Sequence, residues 1–197
     1  MSIDRQALTA AFDTIDAAFD DLVTHGCDAL ATREQFAFLQ RCEKVRRRLP
    51  AVEHPLINNL LRQATAEEIG GKLSHAIAEM TLITRSEASR RIREATDLGP
   101  RRALSGEPLA PTLVVTAAQQ RQGTLGPGQV AVIRNFYHQL PGWIDAATRE
   151  QTEANWPLKA LGFGPNNLPN WPPPWPIAST LTATSPMKTE RGAAELP

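Results

Sequence analysis

The chain has 197 residues, of which 42% are hydrophobic but only 6% aromatic, so it has room for one domain, or one domain with a tail, with a core mainly of Ala, Leu, Ile and Val. Its 21 basic and 21 acidic residues balance to zero net charge, which argues against nucleic-acid binding over the whole surface. The start MSIDRQALTAAF lacks an apolar signal region, and no segment approaches the ~18–20 apolar residues of a membrane span. We therefore expect a cytoplasmic protein with no membrane partner.

The first 50 residues predict two amphipathic helices. The first covers residues 4–24 and has an acidic outer face. Its inner apolar residues recur at spacings of three and four: Leu8, Phe12, Ile15, Phe19 and Leu22. HGCDALA predicts a break, Thr32 with Gln35 predicts a capping box for the second helix, and Pro50 should end that helix.

Three further helices are expected before residue 100. Pro55 is well placed in the first turn of one, and the next contains a Gly70–Gly71 pair that predicts a bend or close helix packing. Thr84 and Glu87 then form a capping-box pattern for a helix over residues 85–97, closed by Gly99 and Pro100.

The remaining pattern is helical up to about residue 155. Pro111 can begin one helix, residues 129–140 form another, and Asp145 caps a last one. No strand-like alternation appears, so residues 1–154 are predicted to be an all-α, multi-helix bundle. Residues 155–197 are rich in proline and tryptophan and then polar, which predicts an irregular, disordered tail.

The search for catalytic motifs is negative. The sequence contains no GxSxG, HExxH, GxxxxGK[ST] or CxxC pattern. His25, Cys27, Cys42 and His54 are metal-ligand types, but their spacing fits no familiar zinc module, and we expect both thiols to be reduced and buried or half-buried. We predict no catalytic residues, no metal and no cofactor, and hence no enzyme.

Two basic clusters remain as candidate binding residues. RCEKVRRR, residues 41–48, lies near a predicted helix end, where the helix dipole alone could account for Arg46, Arg47 and Arg48. The second cluster has six arginines against three acids between residues 85 and 102.

The helix at about 72–82, the short turn and the arginine helix have the proportions of a helix-turn-helix. In that pose Arg85, Ser86 and Ser89 lie nearest the bases, and Arg90 and Arg93 lie near phosphates. The candidate DNA-binding residues are therefore these five together with Arg46, Arg47 and Arg48. The alternative is a solvated surface helix held by pairs such as Glu87–Arg90 and Arg90–Glu94.

Two segments, RSEASRRIREATDLGPRRALSGEPLAPTL and GQVAVIRNFYHQLPGWIDAATREQTEA, resemble the mycobacterial thirteen-E-twelve repeat proteins. The N-terminal helical region of that family is a domain of unknown function, family 222. Its LGPRRALSGEPLAP turn and VIRxFxHQLPxWID segment both stand here in full, and the resemblance covers roughly residues 1–154.

The resemblance implies that longer relatives carry a C-terminal HNH endonuclease domain, which binds a divalent metal and cuts DNA. No His-Asn-His pattern follows residue 155 here, so no catalytic residue carries over and we expect a truncated member. A shifted reading frame in a high-GC gene would give such a Pro- and Trp-rich tail, a hypothesis that comparison of the three reading frames tests.

Three functions follow as alternatives. The first is association with duplex DNA through the helix-turn-helix-like pair. The second is a helical interaction module that binds another helix or forms a homo-oligomer. The third is a degenerate remnant of an HNH endonuclease with no selected activity.

Overall fold

The computed structural model describes the backbone of residues 5–160 and the side chains of residues 5–155. Most of the predicted tail, residues 161–197, lies outside the described residues. The fold is all-α, as predicted, with one very small hairpin. The helices and strands are α1 (Arg5–Thr24), α2 (Thr32–Gln63), α3 (Ala66–Ile69), α4 (Leu73–Thr81), α5 (Arg85–Leu98), β1 (Arg101–Arg102), β2 (Pro108–Leu109), α6 (Val114–Gln122), α7 (Pro127–Gln139) and α8 (Ala146–Ala160).

The chain divides into two compact units, Met1–Arg46 and Arg47–Pro197, which we call unit 1 and unit 2. Unit 1 contains α1 and the first part of α2. No described residue of unit 1 is buried, and the apolar residues predicted for the inner face of α1 are all exposed. The sequence predicted the amphipathic pattern of α1 correctly, but the face it defines stays largely in water.

Helix α2 corrects the prediction that Pro50 ends a helix and that Pro55 begins another. Both prolines lie inside a single helix that ends at Gln63. Each proline removes one backbone N–H donor from the helix. Helical geometry continues past them because the second half of α2 is held by packing, with His54 and Ile57 both buried.

The predicted bend at the glycine pair is confirmed, and it separates α3 from α4. Gly70 and Gly71 have φ angles of 69° and 137°, which side chains with a Cβ rarely adopt. A Cβ added at either position would meet no atom within 4 Å. The glycines are therefore required by backbone conformation and not by close helix packing.

The start of α5 is as predicted. Thr84 is its N-cap, and the Thr84 hydroxyl accepts a hydrogen bond from the Glu87 N–H at 3.1 Å. The turn between α4 and α5 contains Leu82, whose φ of 56° lies in the left-handed region. The two helices pack against each other, with Ala78 of α4 and Ala88 of α5 both buried.

The core of unit 2 lies among α5, α6 and α7. Its main apolar cluster consists of Leu98, Leu113, Ala117, Leu125, Val130 and Ile133. A smaller cluster follows at the end of α7, and Tyr137 packs against both. The hairpin pairs Arg101 with Leu109, and its two-residue strands are too short to produce a recognisable alternation in sequence.

Candidate nucleic-acid interface on helix α5

Helix α5 presents different chemistry on its inner and outer sides. Its inner side holds the buried Ala88, Ala95 and Leu98. The carboxylates Glu94 and Asp97 are also buried, although we predicted that they lie among solvated arginines. The acids of this helix are thus turned towards the protein, and each of them is held by specific partners.

Glu94 is the centre of a buried polar network. Its carboxylate accepts hydrogen bonds from Arg90 Nη1 and Gln120 Nε2, both at 2.7 Å, and lies 3.7 Å from His54 Nε2. Burial alone would raise the pKa of Glu94, but the contacts with His54, Gln120 and Arg90 outweigh it and lower this pKa. Glu94 therefore binds α2, α5 and α6 together as a charged group that is 3% exposed.

Arg90 is held by a second carboxylate as well. Arg90 donates to both oxygens of Glu87, at 2.8 and 2.7 Å. These hydrogen bonds, together with one from Arg91, lower the pKa of Glu87 to about 2 despite partial burial. Arg91 also reaches Glu53 of α2 at 3.2 Å. The pairs predicted by the surface-helix alternative, Glu87–Arg90 and Arg90–Glu94, are both present.

Asp97 holds the other end of α5. Its carboxylate accepts hydrogen bonds from Arg134 at 2.7 Å and lies 2.9 Å from the half-exposed His138 ring. Both partners come from α7, so this cluster fixes α5 to α7 in the same way that Glu94 fixes it to α6.

The outer side of α5 contains only basic and hydroxyl side chains, namely Arg85, Ser86, Ser89, Arg93 and Thr96. These positions lie together because a residue recurs on the same helical face after three, four or seven positions. Every residue of α5 is described, and none of its three carboxylates is exposed, since Glu94 and Asp97 are buried and Glu87 is half-buried. The sequence analysis missed Thr96, although its spacing of seven from Ser89 could have identified it.

The five residues of this outer face differ in what they contact. Arg93 is exposed and pairs with no carboxylate that the structure describes. Arg85 lies 3.8 Å from Glu79 of α4, with both side chains well exposed. The Ser86 hydroxyl is 2.9 Å from that of Thr84, and Thr96 donates to the Ile92 carbonyl at 3.0 Å. Both arginines therefore remain accessible to an anionic ligand.

The first basic cluster has a different environment. Arg47 and Arg48 belong to unit 2 and donate to the carbonyls of Thr124 and Arg121, at 3.4 and 3.2 Å. These carbonyls lie at the C-terminal end of α6, where cations are favourable. The dipole explanation was thus applied to the wrong helix, because α2 continues past Pro50. Arg46, in unit 1, lies 3.7 Å from Glu43 and is exposed.

Glu153 is a further buried acid that the sequence analysis did not identify. It accepts hydrogen bonds from the backbone N–H groups of Val115 and Thr116, at 3.0 and 2.7 Å, and from the Thr116 hydroxyl at 2.9 Å. A carboxylate here satisfies unpaired donors at the start of α6. The contact joins positions 37 or 38 residues apart, so local sequence carries no signal for it.

The candidate metal ligands are not assembled in the described part of the chain. Among residues 5–155 no three His, Cys, Asp or Glu side chains are grouped so that they could hold a metal ion. Cys27 and Cys42 are exposed free thiols, which corrects the expectation that they are buried or half-buried. None of the described helices is long and apolar enough to cross a membrane.

Comparison with known proteins identifies the family. A model described as a domain of unknown function, DUF222, matches residues 36–170, which extends beyond residue 154, where the resemblance drawn from the sequence ended. An uncharacterised protein of Mycobacterium tuberculosis (strain CDC 1551 / Oshkosh) is 54% identical over 85% of this chain. Another from that strain is 48% identical over 83%, and one from Mycobacterium bovis is 46% identical over 83%.

These relatives are considerably longer than the matched region. The chain spans about 37%, 39% and 36% of their respective lengths. No solved structure matches the chain. Since the family model covers more than half of the residues, the chain belongs to the DUF222 family.

Proposed function

We propose that this domain associates with duplex DNA through the outer face of α5. The observation that carries the proposal is the separation of charge around this helix. The acids Glu87, Glu94 and Asp97 are paired with arginines and are buried or half-buried, whereas Arg85 and Arg93 are exposed and pair with no carboxylate of α5. Interspersed acids would weaken attraction to phosphate, and this arrangement removes them from the contact surface.

The hydroxyl groups between the arginines suit the same ligand. Serine and threonine hydroxyls hydrogen-bond to phosphate oxygens and to base edges, and a helix fits the major groove of B-DNA. In this pose Arg85, Ser86 and Ser89, near the start of α5, face the bases, and Arg93 contacts a phosphate. The helix-turn-helix arrangement of α4 and α5 would support the recognition helix from behind.

We propose a supporting role for Arg90, which the sequence predicted to lie near a phosphate. Its guanidinium makes three hydrogen bonds to two carboxylates, one of them buried. Moving Arg90 to a phosphate would remove its 2.7 Å hydrogen bond from the buried Glu94 carboxylate, at a cost of several kcal/mol. The proposed contact set therefore retains Arg85, Ser86, Ser89 and Arg93, adds Thr96 and leaves Arg90 in a supporting position.

Binding is expected to be weak and dependent on salt. Arg93 is the one arginine assigned to a phosphate, and non-specific complexes with few phosphate contacts have dissociation constants of about 10⁻⁴–10⁻⁶ M. The resemblance to HNH-containing relatives is consistent with such a role, because a DNA-cutting domain benefits from a neighbouring region that holds the duplex.

The test is fluorescence anisotropy of a labelled random-sequence duplex across a salt series. Each phosphate contact contributes about 0.9 to the slope of log K against log salt, so Arg93→Ala should reduce this slope by about that amount. Arg33→Ala removes an equally exposed charge from α2 and is the matched control. No binding at low salt, or an equal loss with Arg33→Ala, contradicts the proposal.

A further inference from the structure

Unit 1 carries an apolar surface that the described part of the chain leaves in water. On α1 the residues Leu8, Phe12, Ile15, Phe19 and Leu22 are 44–63% exposed. On the unit 1 part of α2, Phe36, Phe38, Leu39 and Val45 are 43–63% exposed. So many large apolar side chains exposed at regular helical spacing are unusual on a monomer and mark an interaction site.

The spacing of these residues indicates the kind of partner. The α1 residues are separated by four, three, four and three positions, which is the a/d repeat of helices that pack side by side. Phe38, Cys42 and Val45 continue the same alternation on α2. The surface therefore fits other helices that present the same repeat.

Charge distinguishes the two helices of unit 1. Helix α1 contains four aspartates and one arginine, whereas residues 32–46 contain four basic residues and two glutamates. Asp16 lies directly beside the apolar stripe of α1, and Arg41 and Arg46 lie directly beside the stripe of α2. An acidic and a basic helix in one unit make the surface complementary to itself.

We infer that unit 1 is a dimerisation surface whose partner is a second copy of this chain. In a two-fold arrangement, α1 of each copy lies on α2 of the other, so acidic and basic helices meet twice. The exposed half of a large apolar side chain is on the order of 80 Å², so the seven that lie on the two stripes of each copy offer on the order of 1,100 Å² in the dimer. That area is close to the lower end of the ~1,200–2,000 Å² range of stable interfaces.

Light scattering coupled to size-exclusion chromatography tests the inference on the full chain. We expect a mass of twice 21.6 kDa at micromolar concentration. Phe12→Ser with Phe19→Ser should give one chain mass, while Ala17→Ser on the opposite side of α1 leaves the dimer intact. A monomeric native chain, or a dimer that survives the double substitution, overturns the inference.

A charge-exchange experiment shows that the contact is between chains. Asp16→Arg and Arg41→Asp each place like charges together in a homodimer, and each should be mainly monomeric. When the two variants are mixed, both helix pairs regain opposite charges, so a heterodimer should form. A mixture that remains monomeric overturns the inference, because a contact within one chain is not restored by mixing.

Discussion

The two units differ in what they bury. Unit 2 encloses an apolar cluster and three carboxylates, each with several hydrogen-bond partners. Unit 1 has equally regular apolar spacing on α1 but no buried residue in its described part. Apolar periodicity therefore identifies which face of a helix can be buried. Whether that face is buried depends on packing against residues that are distant in sequence.

The largest expected effect tests this contrast directly. Leu113 is 0% exposed and Leu22 is 63% exposed. We expect Leu113→Ala to lower the free energy of unfolding by about 3 kcal/mol, because removing the buried isopropyl group of Leu113 leaves a cavity in the core. Leu22→Ala should cost under about 0.5 kcal/mol in dilute protein. Urea denaturation measures both changes, and equal losses would contradict the assignment of the core to unit 2.

A second substitution measures how much the buried polar network contributes to the stability of unit 2. Glu94→Ala leaves Gln120 and the half-buried Arg90 without their shared acceptor, and we expect a loss of about 2–3 kcal/mol. Glu79 is a matched control, because its side chain is 74% exposed and its contact with Arg85 is long. A loss for Glu79→Ala as large as that for Glu94→Ala would show that burial is not the cause.

Local sequence signals predicted the helices of unit 2 well. The capping threonine at 84 and the glycine at 99 located α5 to within one residue of the observed Arg85–Leu98. The glycine pair likewise located the break between α3 and α4. Pro50 was misjudged because its effect depends on packing of the following turns, which residue preference does not include.

The candidate site was predicted only in part, for the same physical reason. Residue types identified the exposed Arg85, Ser86 and Arg93 and the half-buried Ser89, which remain the proposed contacts. The Arg90–Glu94 pair was part of the surface-helix alternative, but residue types did not show that Glu94 is buried or that Gln120, 26 residues away, donates to it. The roles of Arg47 and Arg48 depend on carbonyls 77 and 73 residues distant. Such contacts are set by the tertiary fold and leave no local pattern.

Acid should lower the stability of unit 2 through protonation of Glu87. Its pKa is lowered to about 2 in the folded chain, from an ordinary value near 4.5. A lowered carboxylate pKa contributes stability that is complete above about pH 4.5 and is lost as the pH falls towards 2. Allowing for its partial exposure, the loss is of the order of 1–2 kcal/mol.

Denaturation curves at several pH values between about 5 and 2 measure this effect. Glu87→Gln removes the titrating group, so its stability should fall less steeply across this interval than that of the native chain. The same steepness in both proteins would show that Glu87 is not the group responsible.

The smallest effect concerns backbone strain in the turn before α5. Leu82 has a φ of 56° and is 91% exposed, so its side chain contributes little packing. Glycine accepts this conformation without strain, but it also increases the freedom of the unfolded chain. We expect Leu82→Gly to stabilise the protein by about 0.5 kcal/mol, because relief of the left-handed strain of ~1 kcal/mol exceeds the entropic cost.

Leu104 is the control for this substitution, since it is fully exposed in the hairpin turn and has no positive φ. Leu104→Gly should therefore destabilise the protein slightly, through chain entropy alone. If denaturation curves show that Leu82→Gly stabilises the protein and Leu104→Gly destabilises it, the gain in stability comes from the backbone conformation of the turn before α5. If both substitutions destabilise the protein, the left-handed conformation of Leu82 is not a source of strain.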